Sequence, residues 1–346
     1  MKPVNQSRRK YLQMAGAMSL AGLALPRAHA SSGPVVIGTW GGDTEKALGS
    51  AVRIAKEKFD IGVLMEVGTP SARKTKILAQ ANRPRNSMDI PFLVDSDMYQ
   101  LDKQNILKKI DAASVPNAGN LIDKIRSNDY SIPIMYSALI LVWNENKTTA
   151  PKSIADLWKK EYAGKIGVTD LSYDKIIPMA SVAHGGSTSN YAPGYEALLA
   201  LKKNGVRVYA SNEAVGNAFK SEEILVSIMW KGRGFQWSEA GLPVAYASPS
   251  EGAYPVYFEM GITRNSGFPS EAARVLGCVL EPEVQRTMAL AIGQVPAVTN
   301  AGIAPDVMEK IGFTQADRDR FIRPDHAYAA SKSSEAIEFW NQKFKG

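Results

Sequence analysis

The 346-residue chain has one cysteine, Cys278, and three histidines. A single cysteine builds no disulfide framework. Its setting, AARVLGCVL, reads as an apolar helix face on which a thiol packs as a small hydrophobe. So few soft ligands leave a metal or haem site poorly supplied, and no H-E-x-x-H, C-x-x-C or D-x-D-x-D-G pattern occurs. No cofactor or metal is expected. There is no G-x-S-x-G elbow either, and the glycines at 41–42 and 232–234 fall short of a phosphate-binding loop. Repeats, low-complexity tracts and long charge runs are absent. The apolar runs MAGAMSLAGLAL (14–25) and IPIMYSALILVW (132–143) are both shorter than the roughly 20 residues a membrane-spanning helix needs.

What is present begins with an address. SRRKYLQ over residues 7–13 is a twin-arginine pattern, followed by the first apolar run and by AHA at residues 28–30, a small-residue cleavage pattern. Residues 1–30 are therefore expected to be a twin-arginine export signal, cleaved after Ala30, with the mature protein in the periplasm. Ser31 rather than cysteine follows, so no lipid anchor is expected. The formal charge of +7 is largely a property of this segment. It holds five of the 41 lysines and arginines and none of the 34 acidic residues, leaving 36 basic residues against 34 acidic ones. Nucleic acid is accordingly not an expected partner.

Beyond residue 34 the chain alternates short β-branched runs with amphipathic segments. PVVIGTW, IGVLMEVGT and MDIPFLVD read as strands, separated by GGDTEKALGSAVRIAKEKF and SARKTKILAQAN at helical spacing. Asp43 and Thr44 suit the helix N-cap. IPIMYSALILVW reads as a long buried strand, and the alternation resumes after it through KIGVTDL, VRVYAS, ILVSIMWKG and GAYPVYFE. Such alternation predicts an α/β fold with mostly parallel sheets covered by helices. Two lobes are expected, one over 31–138 plus 261–346 and the other over 139–260, joined by crossover strands.

Polar and aromatic residues collect where these strands end. Trp40 and Gly41 follow the first strand, Thr69 and Ser71 the second, and Ser96 the third. One such residue alone reads as a plain helix cap. Three equivalent positions point to a ligand site beyond the carboxyl ends of strands, where helix N-termini offer free N–H groups. In the second lobe Asp174, Trp230, Arg233, Tyr254 and Tyr257 supply charges and an aromatic wall, the make-up of a small-ligand cleft. Trp237 and Phe258 read as core aromatics, and His184, before two glycines, as a helix C-terminal cap.

TWGG near the expected mature start, FLVDSDMYQLDKQNIL, NDYSIPIMYSALILVWNEN, YAGKIGVTDLSYD, IMWKG and GQVPAVTNA stand in the order found in the extracellular solute-binding proteins of ABC importers. Over nearly all of the chain after the signal, the sequence resembles that family, and within it the spermidine/putrescine-binding group. The resemblance implies a two-lobed (type II) periplasmic binding protein fold that closes on its ligand like a hinge. It places ligand contact at Trp40, Ser96, Tyr136, Asp174 and Trp230. It also implies, as partners, a small-molecule ligand and the permease and ATPase subunits of an importer, with the binding protein a monomer and not an enzyme.

Some positions depart from the polyamine-binding pattern. Leu171 stands where an acid is expected, Pro255 and Tyr257 where a tryptophan and an aspartate are, and Arg233 would repel a polycation. A small carboxylate or zwitterion is therefore favoured as ligand, with a polyamine as the alternative. An exported hydrolase using Asp170 and Asp174 as acid and base is a further reading. A ferric-ion binder would want hard oxygen ligands, and no adjacent tyrosine pair is present.

Overall fold

A computed structural model describes residues 33–123 and 125–346, so the expected export signal lies outside the described residues. The strands are β1 (Val35–Thr39), β2 (Val63–Val67), β3 (Ile90–Val94), β4 (Ser131–Asn144), β5 (Ile166–Thr169), β6 (Arg207–Tyr209), β7 (Val226–Trp230), β8 (Val244–Ala247), β9 (Tyr254–Gly261) and β10 (Val295–Pro296). The helices of the first half are α1 (Asp43–Phe59), α2 (Pro70–Ala79), α3 (Asp95–Lys103), α4 (Tyr173–Ala183), α5 (Ala192–Lys203) and α6 (Asn212–Lys220). They are followed by α7 (Lys231–Glu239), α8 (Pro269–Val279), α9 (Pro282–Ile292), α10 (Pro305–Ile311), α11 (Gln315–Asp319) and α12 (His326–Glu338).

The ten strands among the described residues join one sheet, with the main order β2-β1-β3-β9-β4-β7-β5-β6 and with β8 and β10 also pairing to β4. The outer blocks β2-β1-β3 and β7-β5-β6 are parallel, as strand–helix alternation requires. Between them β9 and β4 run antiparallel to their neighbours and to each other. The architecture is therefore α/β with two parallel blocks, and the long crossover strands are stitched into a single sheet rather than left as free connections.

The run IPIMYSALILVW is the body of β4, buried at every position except the half-buried Trp143. It serves three cores in turn. Ile132 and Ile134 pack with β1, α1, α8 and α9. Leu139 and Leu141 pack with α4, α5 and β5. Tyr136, Ala138, Ile140 and Val142 face the opposite side, against α6 and Phe313. Period-2 alternation thus makes one continuous apolar run serve both faces of the sheet.

Local details follow from the sequence, with one correction. At the start of α1 the cap position is Gly42, whose φ of 67° suits glycine, and not Asp43 or Thr44. Asp43 falls in the first turn instead, where its charge favours the helix dipole. Between α8 and α9 the chain breaks just ahead of Pro282, which occupies the first turn of α9. As expected, His184 is the C-cap of α4, with Nδ1 2.9 Å from the Ala180 carbonyl. Cys278 is buried, and burial pushes its thiol up to about 11.

The C-terminal segment does not pack as sequence order suggests. Ala336, Phe339, Trp340 and Phe344 share a core with Leu157, Ile176 and Leu198 rather than with α8 and α9.

Candidate functional site

The ends of β1, β2, β3, β5 and β7 open on one cavity of about 1060 Å³. One wall comes from the first parallel block: Trp40 and Gly41 after β1, Thr69 and Ser71 at the start of α2, and Asp95, Ser96 and Asp97 in the first turn of α3. Thr69 caps α2 by accepting the Ala72 N–H at 3.2 Å. The facing wall comes from the second block: Asp174 and Lys175 in the first turn of α4, Glu213 on α6, Trp230 ending β7 and Arg233 on α7. Tyr254, Val256 and Phe258 of β9 form the floor, and His326 on α12 closes one side.

Nine of the eleven expected site residues line this cavity: Trp40, Gly41, Thr69, Ser71, Ser96, Asp174, Trp230, Arg233 and Tyr254. Tyr136 and Tyr257 do not. They pair across β4 and β9, their rings stack 5.8 Å apart, and Tyr136 also stacks on Phe313. The reason is strand alternation: Met135, Tyr254, Val256 and Phe258 point into the cavity, so Tyr136 and Tyr257 point away. Two residues three apart on a strand, such as Tyr254 and Tyr257, cannot share a face.

Phe258, expected to be a core aromatic, sits on the floor between the two tryptophans. Its ring centroid lies 5.9 Å from that of Trp40 and 6.4 Å from that of Trp230. Reading GAYPVYFE as alternating would have paired Phe258 with Tyr254. Trp237 does pack as core, against Phe219.

Sequence reading also missed the charged partners, because each is distant in sequence from its mate or hidden in a helix turn. Lys74 Nζ lies 2.6 Å from Asp97 and 3.0 Å from Gln100 Oε1. Lys175 pairs with Asp174 at 2.7 Å, and Arg233 with Glu213 at 2.9 Å. Burial opposes the charge on Lys175, but the adjacent Asp174 outweighs it and holds the ammonium above its usual pKa. His326 Nε2 lies 3.5 Å from Asp95 Oδ2. Here too burial favours the neutral ring, yet Asp95, with Glu259 and Asp325, raises the imidazolium above 6.5. The cavity therefore offers charges of both signs in matched pairs, around an aromatic floor.

Asp170 and Asp174 do not form an acid–base pair. Asp170 accepts bonds from Trp340 Nε1 at 2.7 Å and Lys345 Nζ at 2.9 Å, and it does not line the cavity.

Glu259, behind the floor, is 2% exposed and accepts the Ser131 hydroxyl at 2.6 Å. Burial pushes its carboxyl up to about 7 from 4.5, with Asp95 adding to the shift. Below about pH 4.5 the folded and unfolded chains both hold this proton. As pH rises from there towards 7, the unfolded chain loses it first, so stability falls by about 3 kcal/mol in all. Glu259→Gln is expected to raise the unfolding free energy at pH 8 and to change it little at pH 4.5, as measured by urea titration. An equal change at both pH values would refute this account.

A model of the bacterial extracellular solute-binding protein family matches residues 50–315. The chain belongs to that family. Among relatives of this solute-binding protein is the spermidine/putrescine-binding periplasmic protein of Escherichia coli K12, 28% identical over 215 residues. That match covers 58% of this chain and 62% of the relative. A second is spermidine/putrescine-binding periplasmic protein 1 of Haemophilus influenzae, 25% identical over 206 residues, covering 56% of this chain and 57% of the relative. The matched region is thus about three-fifths of the length of these relatives.

Solved structures share the whole fold. An ABC transporter protein from Clostridium perfringens superposes with a TM-score of 0.78 at 24% identity, covering 89% of this chain and 99% of that one. The Atu4243-GABA receptor gives 0.77 at 19% identity, covering 91% and 98%. The spermidine/putrescine substrate-binding protein PotD of Streptococcus pneumoniae gives 0.74 at 20%, covering 91% and 100%. These likenesses establish the two-lobed fold of periplasmic solute-binding proteins for this chain.

Proposed function

We propose that this protein is the periplasmic binding component of an ABC importer, and that it captures a small organic zwitterion and delivers it to a permease. The observation that carries the reading is the cavity itself. Three cations, Lys74, Lys175 and Arg233, and their carboxylate partners line it from both parallel blocks, around Trp40, Phe258 and Trp230. A solute bearing an ammonium and a carboxylate can exchange one partner of each sign with such pairs, whereas a polycation meets like charge at all three. The acidic residues on the wall still outnumber the cations, since Asp43 and Asp95 add to the three paired carboxylates. That excess, with the polyamine-binding names of the sequence relatives, keeps a polyamine as the second reading.

The lobes we infer follow the sequence expectation with one change: 326–345, which shares its core with α4 and α5, goes with the second lobe. Capture would work by closure, ligand contacts to both walls favouring the closed state over the open one. The protein would act as a monomer, exported and freed of residues 1–30.

Isothermal titration of residues 31–346 against γ-aminobutyrate, other amino acids, aromatic acids and putrescine tests the reading. A zwitterion is expected to bind, and Trp230→Ala to weaken it at least tenfold by removing one side of the aromatic cradle. Binding of putrescine or spermidine alone selects the polyamine reading. Turnover of a bound compound that Asp174→Ala abolishes without loss of binding would make the protein an enzyme.

A further inference from the structure

Among the described residues, the one arginine buried to 2% exposure lies directly behind the first wall of the cavity. Arg73 projects from the first turn of α2, and its guanidinium donates to three carbonyls: Thr39 at 2.7 Å, Gly68 at 2.5 Å and Phe92 at 2.9 Å. These sit at or near the carboxyl ends of β1, β2 and β3. Trp40 and Thr69 directly follow Thr39 and Gly68, Asp95 follows β3, and all three belong to the wall. Gly38 makes room for the crossing, since a Cβ there would lie 2.8 Å from Arg73 Cδ.

Two features separate Arg73 from an ordinary structural arginine. Among the described residues it makes no ion pair: the carboxylates that attract it, Asp97 and Glu66, are paired directly with Lys74 and Lys76. Burial lowers its pKa to about 10, which leaves it charged at neutral pH. Its Cζ also lies 4.4 Å from the Trp40 ring centroid. Trp40 lines the cavity, whereas Arg73 does not.

A ring already facing one cation is a poor seat for another. The quadrupole attraction that draws a cation to an aromatic face is short-ranged, whereas repulsion between two like charges falls only as the inverse of distance. We propose that Arg73 is a specificity-determining residue for charge, making the Trp40 side of the cavity reject ammonium groups and accept the apolar, aromatic or anionic part of a solute. The ammonium is then left to the Asp174 side. This rests on the cavity being a solute site, but its test does not need the solute to be known.

The test places a thiol at Ser71→Cys, on the cavity wall two residues before Arg73, in the mature chain; buried Cys278 stays silent. Modification rates with an anionic (ethylsulfonate) and a cationic (ethyltrimethylammonium) methanethiosulfonate are compared as a ratio, which cancels access and thiol acidity. Arg73→Gln is expected to lower the anion-to-cation ratio about five- to tenfold, and Arg73→Lys to hold it within twofold. An unchanged ratio in Arg73→Gln, or an equal collapse in Arg73→Lys, overturns the proposal and leaves Arg73 a structural clamp. Should Arg73→Gln fail to fold by circular dichroism, Trp40→Leu decides: with the guanidinium in place the ratio must hold or rise, and a fall beyond twofold overturns it. In the folded variants the affinity for putrescine relative to γ-aminobutyrate is expected to rise in Arg73→Gln and not in Arg73→Lys. If the parent protein binds none of the amino acids titrated, the zwitterion reading fails while the rate ratio still judges Arg73.

Discussion

Trp340→Ala is expected to cost about 3–5 kcal/mol of unfolding free energy, measured by urea denaturation of residues 31–346. Trp340 is among the largest fully buried side chains, with its ring 4.5 Å from that of Phe344. Truncation would leave a void that α4, α5 and the final turn cannot easily collapse to fill. Two effects add to the void. Asp170 would lose the indole N–H that, with Lys345, holds its carboxylate below the usual range against the opposing effect of burial. The turn over Asp170–Ser172, which leads into Asp174, would lose its anchor to the C-terminal segment. Solute affinity is therefore expected to fall along with stability. Trp340→Phe keeps most of the volume and loses the hydrogen bond, so a loss of about 1–2 kcal/mol is expected for it. A loss below 1 kcal/mol for the alanine variant would mean that the C-terminal segment is not part of this core.

The second large effect belongs to Gly252, just before β9. Its φ of 108° is a conformation that side chains rarely adopt, and a Cβ built there lies 1.8 Å from the Arg320 carbonyl oxygen. That oxygen belongs to backbone held in place nearby, because the Ile322 N–H donates to the Ala253 carbonyl at 3.0 Å. Neither side can yield without breaking the contact between α11 and the entry to β9. Gly252→Ala is expected to destabilise by about 4 kcal/mol or more, combining the backbone strain with the overlap. Gly49→Ala is the matched control: this glycine is inside α1 and nothing lies within 4 Å of the added methyl. There the change should stabilise by about 0.5–1 kcal/mol through helix propensity. Similar melting temperatures for the two variants would contradict the argument.

Much of the fold was legible because its signals are local. IPIMYSALILVW could only be a buried strand, and the alternation before and after it implied parallel blocks. Of the aromatic and polar residues after the strands, Trp40, Thr69, Ser96 and Trp230 line the cavity. The misses arise where the deciding contact is distant in sequence. Whether Tyr136 or Met135 faces the cavity depends on how β4 registers with β9, which no window of β4 contains. Arg73 reads as one basic residue in SARKTK until three strand ends converge on it. Lys74 with Asp97, and Arg233 with Glu213, likewise become pairs only after folding. Chain order groups residues 261–346 together, and the packing of Ala336, Phe339, Trp340 and Phe344 with Leu157, Ile176 and Leu198 is likewise a contact between segments distant in sequence.

The stitching of β9 and β4 into one sheet has a mechanical consequence. A molecule whose halves are joined by free loops can swivel at almost no elastic cost. Here a backbone ladder runs without a break from β2 to β6, so any relative motion of the halves must bend or twist that ladder. The sheet then behaves as a leaf spring, storing energy when flexed and returning it on release. One weak point in it is the bulge in β4 between Pro133 and Met135, where the register against β9 slips and proline supplies no N–H to the ladder.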